Sequence, residues 1–186
     1  GTPGVGKTSI SRLLASKLGA MLISLGELVE NEKLYSGVDR RRDTLVADID
    51  KVSERVKQMV SNSEQDIIIE GHFAVDVIPK NKVHLVFVLR RNPDELRSVL
   101  EMRGFKGEKL WENLMAEVLD VCLWDAVNRH GTGKVCEVDV TGRGVEEVTY
   151  SIISILDKKE ECRAGYVDWL GKLEAEGRLD EYLEHF

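Results

Sequence analysis

The sequence predicts an α/β fold, a mostly parallel sheet covered by helices, and three observations carry that expectation. Short β-rich runs alternate with amphipathic segments along the chain. The run Val83-His84-Leu85-Val86-Phe87-Val88-Leu89 is almost continuously apolar, as a parallel strand buried on both faces requires. The chain opens with Gly1-Thr2-Pro3-Gly4-Val5-Gly6-Lys7-Thr8, which satisfies the pattern G-x-x-x-x-G-K-[ST] in full. Such a loop joins a buried strand to a helix. Nothing precedes Gly1, so the strand that feeds the loop is expected to be missing from this sequence.

The elements follow in order. Ile10, Leu13, Leu14 and Leu18 recur at helical spacing over 9–18, and Gly19 supplies the stop. Strands are expected at 21–25, 67–70, 83–89 and 135–140, with 83–89 at the centre of the sheet. Amphipathic segments near 44–62, 93–103, 107–130 and 145–158 are expected to be the covering helices. The tail from 160 to 186 reads as helical with a break near Gly177. It carries Trp169, Leu170, Leu173, Leu179, Tyr182, Leu183 and Phe186, which either pack on the domain or present a partner surface. The expected organisation is a core over 1–158 with a helical extension over 159–186.

Composition narrows the class. At 186 residues, 42% hydrophobic and 32% charged, the chain has ordinary globular usage and length enough for a sizeable core. A net charge of −7 argues against a broad electrostatic surface for nucleic acid. Cys122, Cys136 and Cys162 are widely spaced, odd in number and without a CxxC pair, so neither a disulfide framework nor a zinc site is expected. No run approaches the length of a membrane span, and a reducing, cytoplasmic setting is expected.

The opening loop carries the chemistry. Its glycines let backbone N–H groups turn inward toward an anion, and the following helix aims its positive end at the same place. Lys7 would reach the β- and γ-phosphates of a nucleoside triphosphate, and the Thr8 hydroxyl would ligate Mg²⁺. A second constellation, Ile67-Ile68-Ile69-Glu70-Gly71-His72, ends an apolar strand in a carboxylate suited to hold Mg²⁺ directly or through water. Gly71 would let the backbone run close to the phosphates. His72 would project near the γ-phosphate and orient a water or assist proton transfer, the alternative being a structural histidine.

Taken together, GTPGVGKTS, the stretch Ile23-Ser24-Leu25-Gly26-Glu27-Leu28, the pair Glu70 and His72, and Arg103-Gly104-Phe105 with Lys109-Leu110 and Asn113 resemble one family. It is the small adenylate-kinase-like P-loop ATPases of archaea and eukaryotic nuclei. The resemblance runs from Gly1 to about residue 156. It implies a five-stranded parallel core with a monophosphate-binding insert and a short lid. It also implies phosphoryl transfer from ATP to AMP or another nucleoside monophosphate, with slower ATP hydrolysis. Members are linked to maturation of the small ribosomal subunit, with a small-subunit ribosomal protein as partner, so the pre-ribosome and a nuclear location also enter the expectation. Direct RNA contact is left open.

Position by position, the resemblance puts triphosphate binding on Gly4, Gly6, Lys7, Thr8 and Ser9. The insert would span about 27–50, where Arg40, Arg42 and Asp43 would bind the monophosphate, and Arg40-Arg41-Arg42 otherwise form a solvated charged face. The lid would span about 102–112, with Arg103 on the triphosphate. Arg143, in Thr141-Gly142-Arg143-Gly144, is the base-site candidate. Glu70 is one methylene longer than the aspartate common in the family. Arg90 and Arg91 after the 83–89 run either support the lid or the phosphates, or cap the strand. A metabolic kinase and an assembly ATPase would share this site, and a kinase for another small metabolite is a third reading.

Overall fold

The computed structural model describes residues 1–42 and 44–185. It comprises two compact units, Lys7–His84 and the combination of Gly1–Gly6 with Leu85–Phe186.

In the Lys7–His84 unit, α1 (Lys7–Leu18) leads into β1 (Met21–Ser24) and α2 (Leu25–Asn31). Gly19 takes φ 63° to end α1, and the Ala20 N–H bonds the Ala15 carbonyl at 3.0 Å. A hairpin of β2 (Tyr35–Asp39) and β3 (Thr44–Ala47) follows, then α3 (Ile49–Ser61), β4 (Ile67–Glu70) and the short α4 (Ala74–Val77). β1 and β4 pair in parallel from Met21↔Ile67 to Ser24↔Glu70. Ile23, Leu25, Leu28, Val29, Val52, Val56 and Val77 form the buried cluster. The expected helix over 44–62 begins only at Ile49. Residues 44–47 alternate exposed and half-buried and pair antiparallel with β2, and the Asp48 carboxylate then accepts the Lys51 N–H at 3.2 Å to start the helix.

In the other unit, β5 (Val86–Arg90) precedes α5 (Pro93–Met102), α6 (Gly107–Val118) and α7 (Val121–His130), then β6 (Val135–Asp139), α8 (Val145–Leu156), α9 (Trp169–Ala175) and α10 (Asp180–Leu183). β5 and β6 pair in parallel from Val86↔Val135 to Arg90↔Asp139. The parallel α/β class is therefore observed, with its four parallel strands as the pairs β1–β4 and β5–β6. The apolar 83–89 run enters its strand at Val86 and ends on a buried arginine. The segment 107–130 is two helices, because Asp120 sits at φ 57° in the left-handed region and breaks the ladder between α6 and α7.

Arg90 is 1% exposed, and every guanidinium nitrogen is engaged. Nε donates to Glu117 Oε1 at 2.8 Å, Nη1 to Glu137 Oε1 at 2.6 Å, and Nη2 to the Glu117 carbonyl at 2.8 Å and to Asp120. Burial alone would lower the Arg90 pKa, but Glu117 and Asp120 outweigh it and raise it. Glu117 also accepts the Thr2 hydroxyl at 2.5 Å and the Trp169 indole N–H at 3.3 Å. The second oxygen of Glu137 accepts three backbone N–H groups, those of Gly165 and Tyr166 at 2.9 Å and Val167 at 3.2 Å.

Those bonds fold the tail onto its own unit, and Trp169, Leu173 and Tyr182 are buried there. Gly177, at φ 65°, makes the expected break between α9 and α10. Arg178 makes a two-pronged ion pair with Asp94 at 2.8 and 3.0 Å, and Tyr182 donates to Asp94 at 3.2 Å. Burial, then the Asp94 carboxylate, pushes the Tyr182 hydroxyl up to about 12. Of the residues offered as a partner surface, these aromatic anchors therefore belong to the core. Phe186 lies outside the described residues.

The cysteines depart from expectation, because Cys136 and Cys162 form a disulfide with their Cα atoms 4.8 Å apart. Spacing along the sequence concealed the pair. The tail returns beside β6, where the Glu137 N–H bonds the Arg163 carbonyl at 2.7 Å, and this brings the two residues together.

Arg90→Met leaves Glu117 and Glu137 buried without their counter-charge. An expected loss of about 3–5 kcal/mol follows, read as a fall in the urea midpoint. A variant within about 1 kcal/mol of the parent would show that the network does not stabilise the fold.

Candidate phosphate and metal site

The opening loop is shaped by two left-handed glycines, Gly4 at φ 91° and Gly6 at φ 97°. A side chain at Gly4 would also lie 2.8 Å from Leu96 Cδ1 and 3.1 Å from Leu100 Cδ2, both on α5. At Gly1 a Cβ would collide with the Leu89 carbonyl oxygen, so the start of the loop lies against β5. Thr2 and Val5 are buried between these glycines. The loop is thus fixed by packing against β5 and α5 and by the left-handed backbone at Gly4 and Gly6, a conformation suited to turning N–H groups toward an anion.

In the Lys7–His84 unit, Lys7 and Thr8 form the first turn of α1. The Thr8 hydroxyl donates to Glu70 Oε1 at 3.3 Å, and the Ser24 hydroxyl donates to the same oxygen at 2.7 Å. The register Ser24↔Glu70 ends β1 and β4 level with each other, so the two side chains emerge together. Ser24 also precedes α2 at the N-cap position without capping it, because its hydroxyl is committed to Glu70. Glu70 is 9% exposed. A buried carboxylate flanked by two hydroxyls is an all-oxygen donor set and fits Mg²⁺, which takes one or two carboxylates and keeps several waters. Thr8 and Glu70, named from sequence, are brought together. Ser24 was missed as a site residue, and only the pairing register reveals it.

His72, two residues beyond Glu70, is exposed and meets Phe73 edge to face at 5.0 Å between ring centroids. Lost hydration around the ring lowers its pKa, and the Lys7 ammonium lowers it further, against smaller opposing effects of Glu70 and Asp76. The ring is therefore neutral at pH 7. Gly71 makes its close approach to α2, since a Cβ there would come within 3.0 Å of Leu25 Cβ and Cδ1. Ser9 is exposed on α1.

The remaining candidates lie on separate elements. Arg103 follows α5, exposed and with no side-chain partner among the described residues, and Gly104 at φ 81° makes the turn toward α6. Residues 102–112 are therefore a helix end, a tight turn and the first half of α6. Lys109 Nζ sits 4.8 Å from the Phe105 ring centroid. Arg40 is exposed at the tip of the β2–β3 hairpin, and Arg42 pairs with Asp39 at 2.9 Å. Asp43 lies outside the described residues. Arg143 is committed to Glu147 at 2.7 Å, the Asp139 carbonyl at 3.0 Å and Ser151 at 2.7 Å, so its guanidinium braces the end of β6 against α8.

The charge beside His72 gives a direct test. Because its folded pKa lies below its unfolded value, this group costs the protein stability as pH falls below about 6.5. A proton-NMR titration should place its midpoint below that of an unstructured histidine. Lys7→Met should move the midpoint upward, and an unchanged midpoint would show that the two groups do not interact.

The sequence profile of a family described as an AAA domain matches residues 1–120. A protein of Methanocaldococcus jannaschii named "Putative adenylate kinase" is 40% identical over 172 residues, covering 92% of this chain and 91% of that protein. Relatives of the same name from Methanothermobacter thermautotrophicus and Methanosarcina barkeri are 40% and 36% identical, covering 93% and 91% of this chain and 96% and 94% of theirs. With its opening loop, its parallel strands and the Thr8–Glu70 pair, the chain belongs to the adenylate-kinase-like P-loop family.

Proposed function

We propose that the protein is a nucleoside monophosphate kinase of the adenylate kinase type, transferring the γ-phosphoryl group of ATP to AMP or a related monophosphate. The observation that carries this reading is the oxygen cluster of Thr8, Ser24 and Glu70 at the first turn of α1, directly after the phosphate-binding loop. Relatives of similar length that bear the adenylate kinase name support it.

In this reading the backbone N–H groups of the loop through Gly4 and Gly6 hold the phosphates, with Lys7 and the start of α1 adding positive charge. Thr8 and Glu70 hold Mg²⁺, which when bound neutralises charge on the phosphates. The acceptor oxygen attacks the γ-phosphorus in line as the bond to the β-phosphate oxygen breaks, and no covalent enzyme intermediate is needed. Arg103, exposed and without a side-chain partner among the described residues, supplies charge to the transferring group from the turn between α5 and α6. Arg40 and Arg42 on the β2–β3 hairpin are assigned to the monophosphate. Arg42 must then share its guanidinium with Asp39 or leave it.

One observation favours hydrolysis as a second activity. His72 is exposed, lies within the electrostatic reach of Lys7 and Glu70, and is held toward its neutral form by lost hydration and by the Lys7 ammonium. A neutral imidazole there accepts a proton from an attacking water, so ATP is cleaved to ADP and phosphate when no monophosphate is bound. A role in small-subunit maturation, with a ribosomal protein as partner, rests on the family resemblance alone. None of the helices among the described residues is long and apolar enough to cross a membrane.

The decisive assay follows ADP and phosphate from Mg·ATP with AMP added or withheld. Two ADP per ATP that require AMP, with little free phosphate, are expected. Phosphate release indifferent to AMP would replace the kinase by an ATPase. Lys7→Ala should reduce turnover at least about 10²-fold in both reactions. His72→Gly should slow hydrolysis by about 10²-fold while ATP affinity stays near that of the parent, and equal loss of both would refute the role given to His72.

A further inference from the structure

Two consecutive arginines end β5, and the fold treats them oppositely. Arg90 turns inward and has a carboxylate or carbonyl for every nitrogen. Arg91 is half-buried, and its Nε is fully enclosed with no hydrogen-bond acceptor among the described residues. No ion pair forms with it among those residues, although acidic residues exceed basic ones by seven in the chain. A buried donor left without an acceptor is costly, and a charged one more so. Its backbone is nonetheless fixed, since the Arg91 N–H donates to Glu117 Oε1 at 3.1 Å.

The place of Arg91 in the chain indicates what completes it. It lies on the short connection from β5 to α5, at the carboxyl end of a parallel strand, where α/β folds bind ligands. The elements on either side of it reach the opening loop, since a Cβ at Gly1 would meet the Leu89 carbonyl on β5 and one at Gly4 would meet Leu96 and Leu100 on α5. The connection thus joins two elements that pack against the phosphate-binding loop. We propose that Arg91 is a phosphate ligand, its guanidinium completing the grip of the Gly1–Gly6 loop on the anionic chain of the triphosphate. This inference rests on the kinase reading for the identity of the anion. A guanidinium suits the role because its planar fork meets phosphate oxygens in pairs, and Arg91 is only half-buried.

The test compares the parent with Arg91→Ala and Arg91→Lys by thermal melting and by calorimetric titration with Mg·ATP. Without ligand, Arg91→Ala should melt at or above the parent temperature, because it removes an enclosed donor that has no acceptor among the described residues. Its Kd for Mg·ATP should rise about 10- to 100-fold, the worth of one or two charge-assisted hydrogen bonds. Arg91→Lys keeps the charge without the fork and should recover only part of that affinity. A variant that melts lower yet binds Mg·ATP like the parent would make Arg91 structural and overturn the proposal. If the parent does not bind Mg·ATP, the kinase reading fails, and inorganic pyrophosphate becomes the probe for Arg91. Pyrophosphate binding by the parent that Arg91→Ala loses would keep Arg91 as an anion ligand, and no binding by the parent would overturn this inference as well.

Discussion

The larger unit is organised by one buried positive charge, that of Arg90. Arg90 ends β5, and through Glu117, Glu137 and Asp120 it engages α6, β6 and the turn that separates α6 from α7. Glu117 and Glu137 then spend their remaining lone pairs elsewhere. Glu117 holds Thr2 and Trp169, and Glu137 holds the backbone of residues 165–167. A guanidinium removed from water must have all its donors met, so every element that meets them is fixed in place by the same requirement. The network is costly to assemble and more costly to leave incomplete, and this gives the unit a unique arrangement of strand, helices and tail.

Among its described residues the smaller unit has no comparable buried charge apart from Glu70, and its order comes from apolar packing and register. Ile23 and Val52 sit in one cluster with the residues that open α2, and the level ends of β1 and β4 deliver Ser24 and Glu70 side by side. What the site demands of this unit is modest: two strand ends in register and one helix start. Precision there comes from backbone hydrogen bonds, which the pairing of short apolar strands supplies without specialised side chains.

Much of this could be read before any coordinates. The glycine pattern at 1–8 demanded a left-handed backbone at fixed positions, and the apolar runs at 67–70 and 135–140 demanded strands, because each rests on local sequence. Thr8 and Glu70 were legible for the same reason. The Arg90 network was not, since Glu117, Glu137 and Asp120 lie 27 to 47 positions away and no periodicity links them. Ser24 was hidden in a register, the disulfide in the return path of the tail, and the split at Asp120 in a residue type that tolerates left-handed backbone without requiring it. The hairpin was obscured because Thr44-Leu45-Val46-Ala47 adjoins a strongly amphipathic helix and was absorbed into its pattern.

The bonds that Glu137 makes to residues 165–167 have a consequence for how the chain is made. β6 carries a carboxylate whose acceptors are filled by Arg90, 47 positions upstream, and by the backbone of residues 165–167, some 30 positions downstream. Until those residues leave the ribosome, the strand holds a half-neutralised acid in an apolar setting. The Lys7–His84 unit has its own hydrophobic cluster, drawn wholly from the first half of the chain, and is free to form during translation. The larger unit must wait for residues 165–167, whose N–H groups complete the partners of Glu137 and permit its interior to close.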